Sequence, residues 1–335
     1  MIIWIYLIIL SICFLYFLVT AYYIVCNRKK LNNDNTDLQE SYIAHTKILV
    51  VIPAHNEEIN LKKCLTCLKL ANYPSDLISI EVLVDRCTDK TLEIARSYKV
   101  KTHSNLPNTK KCKGNLLKSY YQYNNRKISL FDVMCLIDAD TFIDKDFFIE
   151  VDKAFKKGYK IIQGKIQVCQ TKNTFISGFM AILQAFIDIF FYKILSLKGY
   201  SVLLSGKGAA VSTDILLKIP WSSDSLVEDI EFSFLALLKG YKIFYSDNLK
   251  VISLQPECFI DFWYQQKRWI SGQLLMIKHF KKFSLFDGNL FSFIYFVLVG
   301  YINSLIFVGL SFSVFFVNPK KLSFVLQFII LQHLL

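Results

Sequence analysis

The sequence has no motif for binding nucleic acid, no regular cysteine framework, and no charged residue between Ile2 and Val25. Each absence removes a class of protein. Nine cysteines, at 13, 26, 64, 67, 87, 112, 135, 169 and 258, are odd in number and irregularly spaced. That excludes a disulfide scaffold and fits a reducing compartment. Cys64 and Cys67 form a C-x-x-C without a second pair to complete a zinc site. They read as half-buried structural residues on an amphipathic helix. The formal net charge is +12. The basic residues are scattered and gather mainly beside apolar segments. They point to an anionic membrane surface and a phosphate-bearing ligand rather than to nucleic acid.

What is abundant is apolar surface. Hydrophobic residues make up 53% of the 335 positions, and mean hydropathy is +0.36, too apolar for an ordinary soluble domain of this size. The excess sits at the two ends. Ile2 to Val25 is long enough to cross a hydrocarbon core of ~30 Å. It lacks the basic n-region and small-residue cleavage site of a signal peptide. Asn27-Arg28-Lys29-Lys30 follows, and positive charge on that side places it in the cytosol. Residues 1–26 are therefore predicted to be a transmembrane helix and 27–46, rich in Asn and Asp, a linker. Residues 286–335 form a C-terminal membrane region, with a second candidate span from Leu290 to Val317. Leu322 to Leu335 would reach only about 21 Å as a helix. Either it lies in or dips into the membrane, or the natural chain continues. Thr174 to Leu197 is equally apolar but carries Gln184, Asp188 and Lys193, which predicts a buried or interfacial helix.

Between residues 47 and 256 short apolar runs alternate with amphipathic stretches. Lys47–Ile52, Ile80–Val84 and Val133–Ile137 read as buried strands, and Ile59–Leu70 and Thr88–Ser97 as helices. This β-α-β-α order predicts an α/β domain with a doubly wound, mostly parallel sheet. Ligands bind at the carboxyl ends of strands in such folds, and polar residues cluster there. The first strand run ends in Pro53-Ala54-His55-Asn56-Glu57-Glu58, where Asn56 is placed to cap the following helix. The second ends in Asp85-Arg86-Cys87-Thr88-Asp89. Thr88 or Asp89 is placed to cap the next helix, and Asp85 to meet a base or ribose. The third ends in Asp138-Ala139-Asp140. Two carboxylates spaced i, i+2 after a strand suit a hard divalent cation, completed by substrate phosphates. Glu228-Asp229 opens an amphipathic stretch, where helix-start charge and a general base both explain the acidity. Gln265-Gln266-Lys267-Arg268-Trp269 lies in an aromatic and basic segment, 257–285, with interfacial character. Arg268 is suited to phosphate and Trp269 to stacking on a sugar ring.

In this order the motifs resemble the membrane-integrated branch of the family 2 inverting glycosyltransferases, relatives of cellulose, chitin and hyaluronan synthases. The resemblance covers roughly residues 47 to 280. It implies a GT-A fold with a Rossmann-like nucleotide-binding half and flanking transmembrane helices. It implies donor binding by Ala54, His55, Glu57, Asp85, Lys113 (in Lys113-Gly114), Asp138 and Arg268, and acceptor binding by Gly206 (in Ser205-Gly206-Lys207-Gly208), Gln265 and Trp269. Asp140, with Asp138, would hold Mg2+ or Mn2+, and Asp229 beside Glu228 would be the base. Val227 stands where the T-E-D motif has threonine. The implied activity is transfer of a sugar from a nucleoside-diphosphate sugar to a hydroxyl of a glycan or lipid-linked acceptor at the cytosolic membrane face. UDP is the usual nucleotide in that family, and GDP stays open. Partners in a polysaccharide assembly or export system would follow. Two alternatives use the same domain: a polyprenyl-phosphate sugar transferase, and a catalytically inactive subunit of a polysaccharide synthase.

Overall fold

A computed structural model describes residues 42–104, 112–169, 174–219, 221 and 227–276. The predicted N-terminal helix, most of the linker, residues 277–285 and the C-terminal membrane region lie outside the described residues.

Strand β1 (Ile48–Ala54) is an almost unbroken aliphatic run buried along its length, the pattern of a strand covered on both faces. It pairs in parallel with β2 (Ile78–Val84) and β4 (Val133–Leu136). β2 pairs in parallel with the short edge strand β3 (Lys101–His103). Helices α1 (Glu58–Lys69), α2 (Thr91–Ser97) and α3 (Lys113–Ile128) make the crossovers. Alternate residues point to opposite faces, so each strand feeds two cores. Ile48, Val50, Ile52, Val82 and Val133 pack with Leu61, Cys64, Leu65 and Leu68 of α1. Leu49, Val51, Leu83, Met134 and Leu136 pack with Leu116, Leu117 and Tyr120 of α3.

The second half departs from the expected mostly parallel sheet. The eight strands run β3-β2-β1-β4-β7-β6-β8-β5. β7 (Ala209–Ser212) is antiparallel to both its neighbours, β4 and β6 (Ile161–Cys169). β8 (Phe244–Leu254) runs parallel to β6, and β5 (Thr141–Ile143) runs antiparallel to β8 at the far edge. Loop length explains the placement of β5 away from β4. Only Ile137-Asp138-Ala139-Asp140 separates β4 from β5, and a parallel crossover needs roughly a dozen residues. The chain turns away instead, which leaves Asp138 and Asp140 in the turn. The β6–β8 register shifts at Gly164. A Cβ there would run into the Leu249 carbonyl oxygen, so glycine is needed for the close approach.

Between β5 and β7 lie α4 (Phe147–Lys156) and α5 (Phe175–Ile187). α5 passes through one π-turn, Asp188–Lys193, into α6 (Ile194–Leu197). Among the described residues, Ile176–Leu197 is the one stretch of helix long and apolar enough to cross a membrane. It packs on the domain through Met180, Leu183, Phe191, Ile194 and Leu195, while Ile182 and Ile189 are exposed. Short α7 (Thr213–Lys218) and then α8 (Glu228–Leu238) follow β7. α8 is seated by Phe232, which stacks on the buried Trp221 ring at 4.6 Å between centroids.

The last described helix, α9 (Phe259–Met276), carries the Gln265–Trp269 segment. Phe262 and the partly buried Trp269 pack against Met180 and Leu183 of α5. Gly272 lets α9 approach the residue that precedes α8. A Cβ at 272 would sit 2.6 Å from Val227 Cγ2. Alanine is intrinsically about 1 kcal/mol better than glycine within a helix, but overpacking costs about 1–3 kcal/mol, and here the clash is with a buried side chain. Gly272→Ala is therefore expected to lower the thermal midpoint of the detergent-purified protein. Adding Val227→Ala should restore room, making the double variant about 1 kcal/mol more stable than the two single losses sum to. Simple additivity in differential scanning fluorimetry would contradict this docking.

Candidate active site

The loops after β1 and β2 brace each other. His55 Nδ1 lies 2.6 Å from the Asp85 carbonyl oxygen, and the Asp85 N–H donates to the Ala54 carbonyl at 2.9 Å. Ala54, His55 and Asp85 are thus brought together, with Asp85 also paired to Arg86 at 2.7 Å. Asn56 does not cap the following helix as its position in the sequence predicts. It adopts a left-handed conformation with φ 54°, and its Oδ1 accepts from the Thr88 N–H at 2.8 Å. Asp89 serves both helix starts instead. Its carboxylate accepts from Glu58 N at the head of α1 and from Thr91 N at the head of α2, each at 3.0 Å. Aspartate accepts two backbone donors where an asparagine side chain in the left-handed turn faces the wrong loop.

These braces aim Glu57 at the end of the sheet. Asn60 Nδ2 donates to its carboxylate at 2.9 Å. Burial raises the Glu57 pKa; the Asn60 hydrogen bond opposes this, and the charges of Asp140 and Asp138 add to it. The three carboxylates therefore share one electrostatic environment. Asp138 is met by Lys113, whose Nζ lies 2.5 Å from Oδ1. The same ammonium lies 3.5 Å from Glu228 Oε1. Burial alone would depress the Lys113 pKa, but Asp138 and Glu228 outweigh it and hold the ammonium firmly protonated. One side chain at the head of α3 therefore ties the turn after β4 to the head of α8.

Asp229 adjoins this centre. Its Oδ1 accepts from the Ile230 N–H at 2.8 Å. Burial, then the neighbouring Glu228 charge, raise its pKa to about 7, against the opposing pull of Lys113. Gly206 lies directly on it. With φ 72° and a virtual Cβ 2.9 Å from Asp229 Oδ2, position 206 admits only glycine without displacement.

Two residues here were not assigned a role from the sequence. Gln163, fully buried on β6, clamps the 205–208 turn. Its Oε1 accepts from Ser205 N, and its Nε2 donates to the Lys207 and Gly164 carbonyls, each at 2.9 Å. The available signal was a lone amide inside an aliphatic strand, which must find partners when buried. Lys207, delivered by that turn, places its Nζ 3.1 Å from Asp140 Oδ2 and 2.6 Å from Ser253 Oγ.

In front of these groups opens a cleft of about 450 Å³ lined by Glu57, Asn60, Asp140, Leu254, Gln255, Pro256, Asp261, Tyr264, Gln265 and Arg268. Arg268 and Gln265 thus face the carboxylates across the cleft, whereas Trp269 packs partly against α5. The Gln255 and Gln265 amide oxygens are buried without a hydrogen-bond partner among the described residues. Among those residues no three His, Cys, Asp or Glu side chains gather into a ready-made metal site. Donor chemistry nonetheless fits a hard cation. Asp138, Asp140, Glu57, Glu228 and Asp229 outnumber Lys113, Lys207 and Arg268, and two carboxylates completed by ligand phosphates is the usual magnesium arrangement.

A parallel half with polar residues at its strand ends, a carboxylate pair in the β4–β5 turn and a second pair at a helix head make an α/β fold of the GT-A type. Residues 133–332 match the profile of Glycosyl transferase family group 2, and the chain belongs to that family. It is 26% identical over 273 residues to the probable glycosyltransferase YdaM of Bacillus subtilis, a match covering 75% of this chain and 63% of that protein. It is 25% identical over 343 residues to the poly-beta-1,6-N-acetyl-D-glucosamine synthase of Staphylococcus epidermidis, covering 93% of this chain and 80% of the synthase. The fold is similar to that of the mannosyltransferase PcManGT from Pyrobaculum calidifontis, solved with GDP-Man and Mn2+, at a TM-score of 0.61 and 15% identity over 86% of this chain and 80% of the other.

The Gln163 clamp yields a stability prediction. Gln163→Leu keeps volume but strands the Ser205 N–H and the Lys207 and Gly164 carbonyls. Each buried polar group left unpaired costs about 1–3 kcal/mol. The variant should unfold several degrees below wild type, at roughly 2–4 °C per kcal/mol, in a fluorescence-monitored thermal scan. An unchanged midpoint would show that the turn is held by other contacts.

Proposed function

We propose that the protein is an inverting glycosyltransferase that moves a sugar from a nucleoside-diphosphate sugar to an acceptor hydroxyl. The observation that carries this is the bridge made by Lys113 between Asp138 and Glu228. It sets the carboxylates suited to the donor beside those suited to the acceptor.

In this reading Ala54, His55 and Asp85 receive the nucleoside, with Asp85 toward the base or ribose. Glu57, Lys113 and Arg268 surround the diphosphate. Asp140, with Asp138 beside it, would hold Mg2+ or Mn2+, which would neutralise the leaving diphosphate. Asp229 removes the acceptor proton, and the freed oxygen attacks the anomeric carbon from the face opposite the diphosphate, inverting the configuration. Burial and then the Glu228 charge raise the Asp229 pKa to about 7, where a base is both available and strong enough. Lys113 and Arg268 stabilise charge developing on the leaving group. Gly206, Gln265 and Trp269 bound the acceptor side, with the unpaired Gln265 oxygen ready to accept from a sugar hydroxyl.

The donor is proposed to be a UDP-sugar and the acceptor a glycan or lipid-linked sugar at the cytosolic membrane face. The apolar segments at both ends and the similarity to the poly-beta-1,6-N-acetyl-D-glucosamine synthase of Staphylococcus epidermidis support this. The intact Glu228-Asp229 pair supports a hydroxyl acceptor over an already ionised lipid phosphate. It also supports a working enzyme over an inactive subunit. The proposed organisation is a transmembrane helix at 1–26, a linker at 27–46, the transferase domain at 47–256, an interfacial segment at 257–285 and a membrane region at 286–335.

The direct test is a screen of nucleotide sugars with Mn2+ and Mg2+ on detergent-purified protein, reading released nucleoside diphosphate. Metal-dependent release from one donor, lost in Asp140→Ala, is the expected outcome. No release from any donor, with neither UDP nor GDP binding, would refute the proposal. For the base, kcat/KM should fall about tenfold per pH unit below an apparent pKa near 7, because protonating Asp229 removes the base. It should level off above. Asp229→Asn should abolish that acid limb and reduce turnover by at least ~10²-fold while donor binding is kept. Full activity in the variant would exclude Asp229.

A further inference from the structure

Lys207 occupies an unusual position. Its ammonium sits on Asp140, the carboxylate proposed above to receive a divalent cation, and its side chain is only 17% exposed. Two features make this a fixed arrangement. Its backbone is locked: Gln163 holds the carbonyl, and the flanking Gly206 and Gly208 take φ of 72° and 68° against Asp229 and Val251. Its head group is tethered on the other side by Ser253, which β5–β8 pairing sets directly opposite Thr141, next to Asp140. Lys113 differs, because it stands between two carboxylates, Asp138 and Glu228. Among the described residues Lys207 makes its ion pair with Asp140 alone.

An ammonium and a divalent ion cannot both sit against one carboxylate oxygen without strong repulsion. A lysine stem with a locked backbone can still swing its charge through an arc of several ångströms. We propose that Lys207 is a resident counter-ion that holds Asp140 closed to divalent metal until a diphosphate enters the cleft. The incoming diphosphate then gives Lys207 a new anionic partner and releases Asp140. Lys207 is thus a positioning residue that orders binding, with nucleotide and metal entering together. This rests on the reading that Asp140 takes the divalent cation.

The test is Mn2+ binding to the full-length protein in detergent, followed by electron paramagnetic resonance of free Mn2+, without nucleotide and with UDP or GDP. Asp140→Ala is the reference for loss of the site. Lys207→Met, and Lys207→Gln as a second variant that keeps a hydrogen bond to Ser253, should bind Mn2+ about tenfold or more tightly than wild type without nucleotide. Lys207→Arg should stay as weak as wild type. Nucleotide should tighten Mn2+ binding strongly in wild type and much less in the Met and Gln variants, since the coupling runs through the lysine charge. Equal nucleotide-free affinity in wild type, Lys207→Met and Lys207→Gln would overturn the proposal while leaving the metal site intact. Binding that is indifferent to Asp140→Ala, or absent from every variant even with UDP and GDP, would overturn the metal assignment as well.

Discussion

Like charge crowded at one end of the sheet is the constraint on which the rest of the site depends. The charges of Asp140 and Asp138 add to the burial that raises the Glu57 pKa, and those of Glu228 and Asp138 add to the burial that raises the Asp229 pKa. Two like charges about 4 Å apart repel by about 4 kcal/mol at the effective dielectric of a partly buried site. Lys113 relieves the Asp138 and Glu228 charges together, and Lys207 relieves Asp140. Burial first, and then the Glu228 charge that Lys113 does not fully offset, raise the Asp229 pKa to about 7. Burial and an excess of carboxylate that Lys113 and Lys207 only partly offset thus act together at this end of the sheet.

Much of the parallel half was legible because its signals are local. β1, β2 and β4 are short aliphatic runs that end in polar turns, and the residues after them are those that meet at the site. The mixed half was harder. β6, β7 and β8 pair with strands far away in sequence, and β7 is a run of small residues, Ala209–Ser212, with little pattern of its own. Nothing local announces that β5 will pair with β8. Only the four-residue gap after β4 rules out a parallel return.

Side-chain roles divided along the same line. Asp138, Asp140, Glu228 and Asp229 stand out as acidic pairs, and they converge. Asn56 was misread because a cap residue and a left-handed turn residue have the same composition, and only the neighbouring loop decides between them. Gln163 and Lys207 act through partners more than 40 residues away, a separation that no motif of a few residues contains.

Position 227 joins the two halves of the site. Val227 looks like a departure from a motif that carries threonine, yet it is buried, and its methyl groups rest on the bare backbone of Gly272. Threonine is close to valine in shape but would turn a hydroxyl or a methyl into that contact. The valine commits both branches to packing. Because it directly precedes Glu228 and Asp229, the contact sets α9, with Gln265 and Arg268, against the head of α8 and its acidic pair. The glycine in α9 and the valine before α8 are therefore best understood as one joint. A change at either position therefore reaches Gln265 and Arg268, which line the cleft together with Asp140.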